Sequence, residues 1–354
     1  MIGASAFIGR LIGSYRIDAI ISSGPFNHVY RGEQHFHTGH FVAIKLWHTI
    51  HLSPQKQLQF LQEARLLKML KHPHLLPILD MGIHEDIPYL ITAYAPKGSL
   101  RDRIQQWSSH PVPLQETVTL LSQVGEVLEY IHQHNITHGN LKPENILFTA
   151  GGEALLADFT FSTLQEAASS ANIHNITSAN YMAPEQFQGM TSKASDQYAL
   201  GCIAYELLTG RVPFSAVDFS GLRLKHITER PLALTELNML LPIHIEEAVV
   251  KALAKQQTAR HASINDFITV LGTASFQPRL LIAPAALPAI SSSLSPAWLT
   301  GTVDTLQGVK EKDSRPGKAE HAHISSDTQQ HYETLFPARL EPFEEEEEQQ
   351  ETNP

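Results

Sequence analysis

Hydrophobic and polar positions along this chain fall into three successive patterns. Between about residues 15 and 93, short runs rich in β-branched and aromatic residues are separated by turn-forming ones, and "YRIDAIIS", "NHVYRGEQ" and "HFVAIKLW" each read as a strand. One segment of that region has a different period. In "SPQKQLQFLQEARLLKMLK", Leu58, Leu61, Ala64, Leu67 and Met69 or Leu70 approximate one helical face. Ser53 is placed to cap this helix, and Pro54 suits its first turn, where a missing N–H costs nothing. From about 94 to 272 helical periodicity dominates, as in "ETVTLLSQVGEVLEYIHQH" and "SDQYALGCIAYELLTG". Beyond 273 the pattern gives way to Ala, Pro and Ser, and then to charge. The expected architecture is α+β over 15–272, with a small β-rich zone carrying a single helix (15–93) and a larger helical zone (94–272), followed by a linker (273–300) and an acidic tail (301–354).

Charge changes this picture only at the end of the chain. Residues 301–354 hold 5 Lys and Arg against 13 Asp and Glu, a net of −8 out of −10 for all 354 residues. The acidity therefore belongs to the tail, and "FEEEEEQQE" reads as solvated and disordered. The rest has no basic excess, which argues against nucleic-acid binding. A single cysteine, Cys202, forbids an intramolecular disulfide and points to a reducing, cytoplasmic setting; its apolar surroundings predict a buried, inert thiol. The best membrane candidate, "LLIAPAALPAISSSLSPAWL", is interrupted by prolines and serines, and no membrane span is expected. The histidines of "HFHTGH" (His35, His37, His40) have no cysteine or acid beside them and read as an exposed turn, not a metal site.

Five short motifs occur in order: "VAIK" ending at Lys45, a helical glutamate at Glu63, "HGNLKPEN" ending at Asn145, "DFT" starting at Asp158, and "APE" over residues 183–185. Together they resemble the protein-kinase family, specifically its bacterial serine/threonine branch, over about residues 15–272. The resemblance implies a two-lobed, kinase-like fold that binds ATP with Mg²⁺ and acts on, or regulates, a protein partner. Lys45 would reach the α- and β-phosphates with Glu63 holding its ammonium, and Asn145 and Asp158 would be the metal ligands. Gly24 would belong to the phosphate-covering loop. Val29, Ala43 and Leu147 would sandwich the adenine. Thr92 would control access behind it, and Ala93 and Ala95 would offer backbone hydrogen bonds. Leu67, His138 and Phe159, anchored by Asp196, match the column of side chains that joins the lobes. Glu185 and Arg260 match a buried ion pair in the larger lobe.

Three departures fall in the reaction zone. Asn140 stands where the family has the aspartate that accepts the substrate proton, and Gly139 replaces the arginine that reads loop phosphates. Of the three glycines in the phosphate-covering loop only Gly24 remains, with Ser22 and Asn27 at the other places. Thr160 ends the metal-binding triplet in place of glycine. A general base contributes about 10²- to 10⁴-fold to rate, whereas positioning and charge neutralisation carry more of this reaction. Asn140 can still orient a hydroxyl, and Lys142 matches the lysine beside the transferred phosphate. The expected function is a nucleotide-binding pseudokinase, with a weakly active serine/threonine kinase as the alternative. Without an arginine at 139, phosphorylation at Ser162, Thr163, Ser169, Ser170, Thr177 or Ser178 is not expected to be the switch.

The charge and the scarcity of large apolar residues in 301–354 cannot offset the entropy of ordering that segment. Deleting it should barely move the melting temperature. A fall of more than about 5 °C, over 1 kcal/mol for a domain of this size, would show that the tail docks on the fold.

Overall fold

The computed structural model describes residues 3–34, 39–108, 110–164 and 179–273. His35 and His37, the sites Ser169, Ser170, Thr177 and Ser178, the linker and the acidic tail lie outside the described residues.

Six strands form one antiparallel sheet in the order β1-β2-β3-β4-β6-β5. They are β1 (Leu11–Ile12), β2 (Tyr15–Ser23), β3 (His28–Gln34), β4 (Phe41–Leu46), β5 (Ile78–His84) and β6 (Ile87–Ala93). Alternation sorts their side chains. Tyr30, Val42, Ile44 and Leu46 turn inward with Phe7, Ile12 and Ile17, and the other face is left for a cleft. The ordered lobe begins before residue 15: Phe7 is buried, and Tyr30 donates from its hydroxyl to the Ala4 carbonyl at 2.9 Å.

Helix α1 (Pro54–Met69) packs on this sheet. Ser53 accepts from the Lys56 N–H at 3.4 Å and Pro54 opens the first turn. Its buried face differs from the expected stripe. Phe60 and Ala64 are buried, with Leu61 and Leu67 partly so, whereas Leu58 and Met69 are 64% and 71% exposed. Phe60, Ala64 and Leu67 follow i, i+4, i+7, and Leu58 lies well off that line.

The second lobe contains α2 (Leu100–Gln106), α3 (Leu114–Gln133), α4 (Lys193–Thr209), α5 (Phe219–Thr228), α6 (Leu234–Leu237), α7 (Ile243–Ala252) and α8 (Ile264–Thr273), with the hairpin β7 (Ile146–Phe148) and β8 (Ala154–Leu156). Residues 195–209 of α4 are all buried, with the polar members Asp196, Gln197 and Glu206 satisfied by hydrogen bonds. Cys202 lies there fully buried, and burial holds its thiol far above the usual range, so it stays protonated. Gly125 lets α3 approach α8: a β-carbon there would sit 2.6 Å from Ile268. No helix among the described residues is long and apolar enough to cross a membrane.

Two buried polar arrangements brace this lobe. Arg260 grips Glu185 through both nitrogens, Nη1 to Oε1 at 2.7 Å and Nη2 to Oε2 at 2.9 Å, and Ser195 donates to the same carboxylate. Burial pushes the Glu185 carboxyl up, but the Arg260 bonds more than offset this and hold it below its ordinary value. His226, walled by Phe187 and Phe214, pairs its Nδ1 with the Tyr198 hydroxyl at 2.9 Å, while its Nε2 has no partner among the described residues. Burial, aided by Lys255, lowers its pKa to about 3.

Arg260→Met should destabilise the domain by roughly 3–5 kcal/mol, because Glu185 is left buried and unpaired. A loss below ~1 kcal/mol in urea unfolding would show that water or another cation replaces the arginine. For His226, the unfolded ring takes up a proton near its ordinary pKa of about 6.5, whereas the folded ring does so only near pH 3. Its contribution is therefore whole above about pH 6.5 and is lost as pH falls, at roughly 1.4 kcal/mol per unit. His226→Phe should flatten that limb of the stability–pH curve; an unchanged slope would contradict this assignment.

Candidate functional site

Strand register builds one wall of the cleft. Val29 on β3 lies directly opposite Lys45 on β4, and Ala43, two residues before Lys45, lies opposite Thr92 on β6. Directly paired residues share a face, as do residues two apart, so these four side chains point to the same side of the sheet. All four are partly exposed, as cleft-lining positions are, and so are Ala93, Ala95 and Leu147. Ala93 and Leu147 pack together against Leu76, Leu155 and Ala157.

The loop between β2 and β3 closes on itself. The Gly24 N–H donates to the Asn27 carbonyl at 2.9 Å, so the remaining glycine turns its donor inward instead of offering it to a ligand. Ser23 Oγ pairs with His28 Nδ1 at 3.0 Å, and the His28 ring stacks on His48 with centroids 3.8 Å apart and planes 5° from parallel. Thr49 donates from its hydroxyl to the Phe26 carbonyl at 3.4 Å. Sequence patterning did not single out this histidine stack, because His28 lies on β3 and His48 in the turn after β4, 20 positions further along.

Across the cleft, Asp196 on α4 organises the loop that carries Asn140. Its carboxylate accepts from the His138 and Gly139 N–H groups, each at 2.8 Å, and pairs with His132 Nε2 at 2.8 Å. His138 Nε2 donates to the Ala157 carbonyl at 2.8 Å, which leaves Nδ1 to accept from the Asn140 N–H at 3.3 Å. Burial lowers the His138 pKa, in keeping with a neutral ring. Its ring lies 4.9 Å from that of Phe159, and Phe159 and Leu67 of α1 both pack against the core of the larger lobe. Asn145 donates from Nδ2 to the Asn140 carbonyl at 2.7 Å, which leaves its Oδ1 as an acceptor.

Gly139 has φ +73°. A β-carbon there would approach Thr160 Oγ1 to 3.2 Å and Thr191 to 3.3 Å. Two of the three departures are therefore neighbours: Thr160 occupies space that a side chain at 139 would need. Burial draws the Lys142 ammonium below its ordinary value, although Asp158 and Glu144 pull it back. Asn140 is only half-buried, and an amide there can donate or accept a hydrogen bond but cannot take a proton.

The pairing of Glu63 with Lys45 is not present in this structure. Lys45 Nζ is bonded to Asp158 Oδ1 instead. Burial pushes the Asp158 carboxyl up, but Lys45 above all, with Lys142, outweighs this and leaves it below its ordinary value. Glu63 Oε1 accepts from Ser162 Oγ at 2.6 Å, Thr163 Oγ1 at 2.7 Å and Gln59 Nε2 at 3.3 Å. Apolar packing accounts for the difference. Phe161 and Leu164, on either side of the two hydroxyl residues, are buried with Trp47, Ile50, Leu52, Phe60 and Ala64. Centroid distances of 5.2 Å for Phe60–Phe161 and 5.9 Å for Trp47–Phe161 wedge this segment under α1. The alternation Phe161-Ser162-Thr163-Leu164 was visible in the sequence, but its docking place was not.

The donor set fits a hard cation in kind, since Asn145 and Asp158 supply neutral and anionic oxygens of the sort Mg²⁺ takes while keeping several waters. Among the described residues no group of three or more His, Cys, Asp and Glu forms a metal cage.

The family model described as "Protein kinase domain" matches residues 15–280. The Probable serine/threonine-protein kinase PknB of Lactococcus lactis is 30% identical over 272 residues, 76% of this chain and 43% of that protein. Serine/threonine-protein kinase PrkC of Bacillus subtilis is 30% identical over 274 residues, 77% of this chain and 42% of that protein. This chain thus spans less than half the length of these curated relatives. A crystal structure of the Mycobacterium tuberculosis PknI kinase domain superposes with a TM-score of 0.61 at 21% identity, covering 75% of this chain and 98% of that one, and shows the same fold. With the family model matched over residues 15–280 and two relatives at 30% identity, this chain belongs to the protein-kinase family, in its bacterial-type serine/threonine branch.

Proposed function

We propose that this chain is an ATP-binding, kinase-like signalling domain with little phosphotransfer, a pseudokinase that regulates a protein partner in the cytoplasm. The observation that carries the reading is Asn140, an amide at the position of the proton acceptor, held by the same backbone bonds that would hold an aspartate. Val29, Ala43 and Leu147 bracket the adenine, and Ala93 and Ala95 meet its edge through their backbone, with Thr92 behind. Lys45 neutralises the phosphates. Asn145 and Asp158 hold Mg²⁺, which when bound supplies the charge neutralisation that phosphates need. Lys45 and Asp158 are paired with each other, so engaging phosphate and metal costs that pair, and this weakens binding.

A second reading, a weakly active serine/threonine kinase, is favoured by one observation: Lys142, Asn145 and Asp158 are all retained around Asn140. Here Asn140 would only orient the acceptor hydroxyl, and Lys142 would steady the transferred group. The missing base costs about 10²- to 10⁴-fold, roughly 3–5.5 kcal/mol of barrier. The inward-turned loop around Gly24 adds to this by failing to place the phosphate in line.

Calorimetric titration should show saturable MgATP binding that Asp158→Ala weakens. Absence of binding up to millimolar MgATP would contradict the nucleotide assignment. Asn140→Asp alone should restore little turnover. Combined with Ser22→Gly and Asn27→Gly, it should lower the barrier by more than the separate changes summed, because these parts act on one transition state. A rise of about 10²-fold or more from Asn140→Asp alone would show that the base is the only missing part.

A further inference from the structure

We propose that the His28–His48 stack positions the loop between β2 and β3 over the Lys45 cleft, and that a proton taken up by His48 breaks the stack and releases that loop. The proposal rests on the reading of the cleft as a nucleotide site. The stack is the centre of a set of ties. Ser23 Oγ pairs with His28 Nδ1 across the base of the loop at 3.0 Å, and the His28 ring lies flat on the His48 ring, 3.8 Å away. Thr49, the next residue, donates from its hydroxyl to the Phe26 carbonyl at 3.4 Å. Asn27, which accepts from the Gly24 N–H, adjoins His28. The turn after β4 is thereby stapled to the loop that carries the remaining glycine.

Burial makes this staple sensitive to charge. His28 and His48 are 4% and 7% exposed, and His48 Nδ1 has no hydrogen-bond partner among the described residues. A neutral His48 keeps its hydrogen on Nε2 and leaves Nδ1 as a bare acceptor. A charged His48 carries an N–H on both nitrogens, so Nδ1 becomes a buried donor that meets no acceptor. A second charge, on His28, would repel it at stacking distance. Burial first, then His28 and the amino group at the start of the chain, all hold the His48 pKa below its ordinary value. Tyr30, whose ring edge meets His28, is kept protonated by burial, and Ser23 does not titrate, so neither supplies a counter-charge. The charged ring satisfies Nδ1 by reaching water, which takes it out of the stack and loosens the adjoining tie from Thr49 to Phe26. The Gly24 N–H is then free to turn from Asn27 towards a phosphate. The loop is held above the folded pKa of His48 and released as pH falls through it.

Hydrogen exchange of the full chain without nucleotide reads the loop directly. Corrected for intrinsic rates, protection over residues 22–28 should fall about tenfold between about pH 7.5 and 5.5, the change that one unit of pKa difference supplies. His48→Phe keeps a flat ring in the stack and takes no proton, so its protection should hold across that range. His48→Lys, charged throughout, should lack protection at both ends. In calorimetric titration at the lower pH, the unaltered chain should bind MgATP about fivefold more tightly than His48→Phe. Protection that does not change with pH in the unaltered chain, a test that needs no variant to fold, overturns the proposal. So does an equal fall in His48→Phe, or a parallel loss across α3, which marks global opening. Identical pH profiles of MgATP affinity in the unaltered chain and His48→Phe would also overturn it, because the stack would then not position the loop for nucleotide. If the loop responds through His48 but no form binds MgATP, the proton-operated staple stands and the nucleotide reading fails.

Discussion

A buried carboxylate, that of Asp196, is the constraint on which the site depends. It is 1% exposed, and the backbone N–H groups of His138 and Gly139 and the ring of His132 converge on it. Buried charge of this kind is tolerated only when its hydrogen bonds are made, and here they come from the residues leading into Asn140. That loop therefore keeps its shape whatever side chain stands at 140. This separates scaffold from chemistry: the loop is fixed by Asp196, and proton transfer depends on the residue at its tip. A chain can lose the second while the first continues to serve packing.

Electrostatics in the cleft follow from the same separation. Lys45 lies in a partly buried groove and needs an anion. With Glu63 engaged by Ser162 and Thr163, Asp158 supplies it. Each of the charges takes the partner that apolar packing brings near, and Phe161 and Leu164 decide which partner that is. The structure is thus set by burial first and by ion pairing second, as the modest net value of partly exposed pairs would lead one to expect.

Much of this was legible in the sequence where the information is local. The strands around Val29 and Ala43, the cap at Ser53, and the order of motifs from Lys45 to Glu185 all depend on short-range pattern. What was not legible depends on contacts between distant segments. The stripe on α1 was read through Leu58 and Met69, although Phe60 sets the buried face, because spacing alone cannot show which side meets the sheet. The partner of Glu63 was missed because Ser162 and Thr163 lie about 100 positions further along the chain. The contact between Gly139 and Thr160 went unseen for the same reason, and the two replacements read as separate losses until the structure put them side by side.

The central claim is that the fold binds nucleotide and turns it over little. A radiolabelled phosphotransfer assay on the unaltered chain at saturating MgATP, with Lys45→Ala as the background, tests this most directly. The account predicts incorporation at least 10²-fold below the family's usual range of roughly 1–100 s⁻¹, and close to the Lys45→Ala level. A Lys45-dependent rate within that range would contradict it and show that Asn140 positions the acceptor well enough without a base.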